Sequence, residues 1–135
     1  MSPLNSVDMQ ALFSSIKTIA VVGLSSNPQR PSYGVSSYLQ RMGYRIIPVN
    51  PVETEVLGEK CYQSLLDIPD KVDVVDVFRN PEAVGPIAED AIRIGAKYLW
   101  LQEGVINREA AEKALQAGLE VIMDRCMLKE HRAIS

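Results

Sequence analysis

Residues 18–34 read TIAVVGLSSNPQRPSYG, a run of β-branched and apolar residues that ends at Gly23 and opens into a loop of hydroxyls, prolines and Arg30. This stretch decides the fold. A strand that hands such a loop to a helix start has the layout of a nucleotide-phosphate site. Backbone N–H groups at the helix start, the hydroxyls of Ser25, Ser26 and Ser32, and the Arg30 guanidinium together predict an anion cradle.

Outward from this loop, apolar runs and helical patterns alternate. Ser6–Ile16 is expected to form a leading helix, with Ser6 as N-cap and Asp8 in the first turn. A strand over Lys17–Val22 follows. Val35, Tyr38, Leu39 and Met42 recur at helical spacing, predicting a helix over Ser32–Met42 that Gly43 ends. Arg45–Val49 is a second strand. Between Asn50 and Pro69 the periodicity weakens, leaving a loop, a short edge piece and a helical turn around Ser64–Leu66. The segment VDVVDVF at 72–78 is strongly β-branched. Asn80-Pro81-Glu82 then supplies an N-cap, an N1 proline and an early acid for a helix ending at Gly95. Tyr98–Gln102 is a fourth strand, Asn107 caps a helix over Arg108–Ala117 that stops at Gly118, and Glu120–Met123 is a fifth strand. Near-continuous apolar strands separated by amphipathic helices predict a Rossmann-like, three-layer α/β fold. Its sheet has five parallel strands and right-handed crossovers.

Composition bounds the function. The chain has 135 residues, 47% of them apolar, with a formal net charge of −3. That length suits one compact domain over residues 1–135. So mild an acidity gives no general attraction to nucleic acid or to an anionic membrane, and an anionic ligand must be held by local geometry. No segment approaches the ~18 apolar residues of a membrane span, and no basic start precedes a long apolar run, so a cytoplasmic protein is expected. Cys61 and Cys126 lack CxxC or metal-type spacing, which argues against a disulfide framework and against a metal site.

In parallel sheets of this kind ligands bind beyond the carboxyl ends of the strands, where strand order reverses. The strand ends are Gly23-Leu24-Ser25, Val49-Asn50-Pro51, Phe78-Arg79-Asn80, Gln102-Glu103-Gly104 and Asp124-Arg125-Cys126. A dinucleotide fingerprint needs G-x-G-x-x-G and an acid closing strand two; here the next glycine after Gly23 is Gly34, and strand two closes on Val49, Asn50 and Pro51. No G-x-x-x-x-G-K-[ST] is present either, which counts against ATP or GTP hydrolysis. A long loop with its own arginine fits a ligand with more phosphate charge than NAD.

The segments GLSSNPQRPSYGV, YRIIPVNP, VDVVDVFRNPE, GAKYLWLQEGV and VIMDRC resemble, in order, those of the small stand-alone CoA-binding proteins. Their domain is similar to the N-terminal CoA-binding domain of succinyl-CoA synthetase α-subunits. The likeness runs from Ile16 to Cys126. It implies noncovalent binding of coenzyme A or an acyl-CoA, with Gly23, Ser25, Arg30, Pro31 and Ser32 meeting the phosphates. By the same resemblance Val49, Asn50 and Pro51 flank the adenosine part, and Phe78 and Arg79 line the cleft beside the third strand. Gln102, Glu103 and Gly104 match an E-G turn near the pantetheine arm. No catalytic residue is implied. The synthetase α-subunit carries its phosphorylated histidine on a second domain that these residues do not include, so ligase chemistry is not carried over. This sequence departs from its relatives after strand two, where they often have a lysine and this chain has Val52, Glu53, Thr54 and Glu55. Two acids there would repel a phosphate, with Lys60 or a distant arginine left to compensate.

Simpler roles stand beside these. Arg30 can be a solvated charge, Arg79 can pair with Glu82 or Asp76, and Ser32 can be the N-cap of its helix. Asn50 and Pro51 can merely form a turn, Glu103 can order its loop, and His131 falls in a charged, solvated KEHR tail. Cys126 is expected to be a buried small hydrophobe. Alternatively, a thiolate favoured by Arg125 would attack a thioester or form a mixed disulfide. That would make the protein a thiol-dependent acyl-CoA enzyme. Two further alternatives are an NAD(H)-binding redox sensor and a module that docks on a partner enzyme. An FMN carrier is weaker, because Trp100 lies inside strand four.

Overall fold

A computed structural model describes residues 4–135. The main strands are β1 (Thr18–Val22), β2 (Arg45–Val49), β5 (Val74–Val77), β6 (Tyr98–Leu101) and β7 (Glu120–Met123). They form one parallel sheet in the order β2-β1-β5-β6-β7. A small antiparallel hairpin, β3 (Glu55–Val56) and β4 (Glu59–Lys60), follows β2. The helices are α1 (Met9–Ser15), α2 (Pro31–Arg41), α3 (Val84–Arg93), α4 (Arg108–Gln116) and α5 (Met127–Ile134). The predicted fold class is what the chain adopts.

Period-two alternation along each strand divides the core between the faces of the sheet. Ala20, Val22, Val75, Val77, Leu99 and Leu101 pack with Val84, Ala88 and Ala91 of α3 and with Ala110, Ala114 and Leu115 of α4. Ile19, Val21, Ile46, Val74, Trp100 and Ile122 pack on the other side with Leu12 and Phe13 of α1, Val35 and Leu39 of α2, and Met127 of α5. The alanines of α3 and α4 let those helices sit close on the sheet.

Several element boundaries differ from expectation, each for a local reason. α1 starts at Met9 because Asp8, rather than Ser6, caps it: the Ala11 N–H donates to Asp8 Oδ1 at 3.2 Å. α2 starts at Pro31, with Arg30 at the N-cap position and no side-chain cap bond. Ser32 is therefore inside the first turn, and its hydroxyl, not used as a cap, accepts from the Ser25 N–H at 3.1 Å. Asn80 caps no α-helix; a 3-10 turn over Pro81–Ala83 comes first, and α3 begins at Val84. The weakly patterned segment after β2 holds the hairpin and a 3-10 turn over Leu65–Asp67, in which Ser64 Oγ accepts from the Leu66 N–H at 3.1 Å.

The charged tail is a helix. α5 packs on α1 and α2, and His131 is half-buried in it rather than solvated. Its Nδ1 lies 2.7 Å from the Tyr38 hydroxyl, and its ring meets Phe13 edge-on at a centroid distance of 5.0 Å. Near the start of the described chain, Asn5 lies beside β7. Its N–H donates to the Val121 carbonyl at 3.0 Å, its Nδ2 donates to the Met123 carbonyl at 3.1 Å, and its Oδ1 accepts from the Met123 N–H at 2.7 Å. Among the described residues no helix is long and apolar enough to cross a membrane.

Candidate functional site

Strand order reverses between β1 and β5: the chain leaves β1 for β2 on one side and returns to β5 on the other. The loops after these two strands therefore diverge and leave a crevice. Gly23 makes their close approach possible. Its φ is +92°, and a Cβ there would run into the Phe78 carbonyl oxygen and come within 2.9 Å of Arg79 Cδ. A side chain would thus meet both backbone strain and a clash with main chain.

The crevice is a cavity of about 600 Å³, within the usual size of small-molecule sites. Gly23, Ser25, Arg30, Pro31 and Ser32 line it from the β1–α2 side, Phe78 and Arg79 from the end of β5, and Gln102 and Glu103 from the end of β6. Nine of the predicted site residues thus meet in one place. Val49 and Pro51 border a second, smaller cavity of about 160 Å³, which shares Arg79 with the first. Asn50 borders neither of these cavities. It is committed to local structure, donating from Nδ2 to the Leu24 carbonyl at 3.1 Å and accepting at Oδ1 from the Val52 N–H at 3.0 Å. Gly104 also lies outside the larger cavity's lining, its N–H held by Asp124 Oδ1 at 2.8 Å.

Val35, Asn80, Val105 and Cys126 line the main cavity as well; none was assigned as a noncovalent ligand contact from sequence, and Cys126 entered only as the alternative thiol nucleophile. Val35 was read as core from its helical spacing. Asn80 closes the strand-end triplet Phe78-Arg79-Asn80 and Val105 sits one residue beyond Gln102-Glu103-Gly104, and this placement was the available signal. Cys126 is half-buried at the N-cap position of α5, so the buried-hydrophobe expectation is too simple. Cys61, by contrast, is buried against the Asn50 carbonyl, and burial pushes its thiol pKa up.

The charges of the cavity are set by which side chains already have partners. Arg30 and Arg79 are exposed, and neither belongs to an ion pair among the described residues. The alternative pairing of Arg79 with Asp76 or Glu82 is thus not made. Glu103 is held by Lys129 of α5, whose Nζ is 3.1 Å from both carboxylate oxygens. Such an exposed pair orders a loop more than it stabilises the fold.

The predicted backbone cradle is largely occupied by the chain itself. The N–H groups of Ser25, Ser26, Asn27 and Gln29 donate to Ser32 Oγ, Glu53 Oε2, Ser25 Oγ and Asn27 Oδ1, at 3.1, 2.8, 3.0 and 2.9 Å respectively. Pro31 has no N–H to offer. In the first turn of α2 the Ser32 N–H is left without an acceptor among the described residues. Glu53, one of the two acids expected to repel phosphate, instead braces the loop, and its bonds with Ser26 hold its carboxyl below the usual range.

Beneath the cavity, Asp76 is fully buried in β5 and accepts from Gln102 Nε2 at 2.6 Å. Loss of hydration pushes its carboxyl pKa up to about 7, the Gln102 bond opposing the rise. No cluster of potential metal ligands occurs among the described residues.

Comparison with known proteins gives this geometry a lineage. An uncharacterized protein of Bacillus subtilis, YneT, is 41% identical over 92% of each chain. A solved structure of a hypothetical protein from Pyrococcus horikoshii superposes with a TM-score of 0.91 at 43% identity, covering 98% of this chain and 96% of that one. An ADP-forming acetate–CoA ligase of Archaeoglobus fulgidus is 34% identical over 67% of this chain, which spans only 14% of that enzyme's length. The family model described as a CoA binding domain matches residues 17–132, from the start of β1 through most of α5. The chain belongs to the CoA binding domain family.

Proposed function

We propose that this chain binds coenzyme A or an acyl-CoA noncovalently in the crevice at the strand-order reversal. Residues 1–135 would act as one cytoplasmic binding unit that makes and breaks no bonds of its ligand. The observation that carries the reading is the pair of arginines, Arg30 and Arg79, both without ion-pair partners and both facing one cavity of about 600 Å³ at that crevice. Guanidinium groups left unpaired at the edge of a cleft call for an anion with several oxygens.

The diphosphate falls to Arg30, Arg79, the Ser32 N–H and the hydroxyls of Ser25 and Ser32, because the N–H groups of Ser25, Ser26, Asn27, Gln29 and Arg30 are already bonded. Gly23 and Pro31 shape this end of the crevice. Val49 and Pro51, with Asn50 fixing their turn, border the smaller cavity that shares Arg79, where the adenosine part would lie. Gln102, Glu103 and Gly104 then flank the pantetheine arm. The ligase activity of the larger relatives belongs to proteins of which this chain spans a small part, and it is not proposed here.

A thermal-shift titration with CoA, dephospho-CoA, acetyl-CoA, NAD and NADH tests the reading. A ligand at a hundredfold its Kd adds about 2.7 kcal/mol of apparent stability. CoA is expected to raise Tm and NAD to leave it unchanged, with dephospho-CoA reporting what the 3′-phosphate contributes beside Glu53 and Glu55. A shift with NAD or NADH and none with CoA rejects the CoA assignment in favour of a dinucleotide sensor.

A further inference from the structure

Two buried polar side chains underlie the cleft, Asp76 at 0% and Gln102 at 4% exposure. Asp76 lies in register with Val21 of β1 and Trp100 of β6. Gln102 follows Trp100 by two residues, so both side chains project to the face covered by α1, α2 and α5. Gln102 Nε2 donates to Asp76 Oδ1 at 2.6 Å, and Asp76 Oδ2 is buried with no partner. Gln102 also lines the cleft, where its carboxamide oxygen receives no hydrogen bond from the described residues.

The protonation state of Asp76 restricts how this amide can sit. An ionised carboxylate has no proton to give, so it accepts from Nε2 and leaves the amide oxygen for the cleft. A neutral carboxyl can donate its proton to that oxygen, which turns the NH₂ group toward the cleft instead. The strand order spreads the lining along one line. Arg30 and Arg79 belong to the loops after β1 and β5, whereas Gln102, Val105 and Cys126 belong to the loops after β6 and β7. A ligand whose phosphates sit at the arginines therefore brings its uncharged end to Gln102.

We propose that Asp76 is a positioning residue which, through the orientation of the Gln102 amide, sets whether the cleft floor accepts or donates a hydrogen bond, and so selects between thiol-ended and carbonyl-ended ligands. This rests on the reading of the cleft as a CoA site. A free thiol is a donor and matches the amide oxygen, while a thioester carbonyl only accepts and matches the amide NH₂. Burial brings the Asp76 pKa to about 7, so both protonation states are populated near neutrality. The ionisable groups facing this layer are Arg30, Tyr33 and Tyr38 from α2 and its start, Arg79 after β5, Tyr98 of β6, Glu103 with Lys129 after β6, Cys126 and His131 of α5, and Tyr44 before β2. None of them makes a hydrogen bond or ion pair with Asp76.

The test is calorimetric titration of CoA and acetyl-CoA into the wild type, Asp76→Asn and Gln102→Leu proteins at pH 6 and pH 8. In the wild type the preference for CoA over acetyl-CoA is expected to grow roughly threefold to tenfold from the lower to the higher pH, the worth of one hydrogen bond. In both variants the preference is expected to be the same at the two pH values. A wild-type preference that does not change with pH overturns the inference while leaving CoA binding in place, and this holds even where a variant fails to fold. A variant that keeps the wild-type pH dependence overturns it too. Absence of CoA binding at both pH values overturns the reading of the cleft and this inference with it.

Discussion

Arg30 and Asp76 show how differently two charged residues can be spent. Arg30 stands in the N-cap position of α2 without capping it, so its guanidinium has no structural task that its loss would disturb. Arg30→Ala is expected to weaken CoA binding by about 1.5–3 kcal/mol, the range for a hydrogen bond to a charged group. The change in Tm without ligand should be small, and unchanged affinity would remove Arg30 from the site. Asp76 is the opposite case. Its folded pKa of about 7 lies above the ordinary 3.8, so the folded chain keeps a proton that the unfolded chain releases. Stability from this group is complete below about pH 4 and is lost as pH rises toward 7, by on the order of a few kcal/mol. Urea denaturation across that window should show the decline in the wild type and a flatter profile in Asp76→Asn. Arg30 was legible from its loop context. Asp76 was not singled out within VDVVDVF, because its meaning depends on register: only the pairing of β5 with β6 brings Gln102 two residues past its partner Trp100.

At the level of elements, legibility followed the strength of the periodic signal. Long apolar strands were readable to within two residues, and helix α4 to within one, since Asn107 Oδ1 accepts from the Ala110 N–H as its capping role requires. The hairpin after β2 was hidden because two-residue strands have no period. Helix α5 was hidden by its charges, although Met127, Leu128, His131 and Ile134 do recur at helical spacing. Its docking relies on a polar contact inside an aromatic cluster formed by Phe13, Tyr38, Tyr44 and His131. Tyr38→Phe keeps the ring and removes the hydroxyl that meets His131 Nδ1. It is expected to cost about 0.5–1.5 kcal/mol in chemical denaturation, and a loss indistinguishable from zero would mean that ring packing alone seats α5.

For the molecule as a whole, the class of fold was readable and the strand order was not. Alternating strands and helices imply a parallel sheet, but the order β2-β1-β5-β6-β7 follows from where each crossover returns. That order determines which loops face one another. It explains why nine predicted site residues converge while Asn50 and Gly104 do not. The outermost strands carry a further consequence. A parallel sheet ordinarily ends in two open rims that can recruit another chain. Here Asn5 occupies the outer polar groups of Met123 on β7. On β2, Pro48 presents no N–H, and its carbonyl is taken by the Tyr62 N–H at 3.0 Å. Both rims are thus partly covered, which works against edge-to-edge pairing of copies of this chain. Asn5→Ala uncovers the β7 rim and is expected to make sedimentation more concentration-dependent than the wild type's; identical sedimentation of the two would mean that the rim is harmless without its cover.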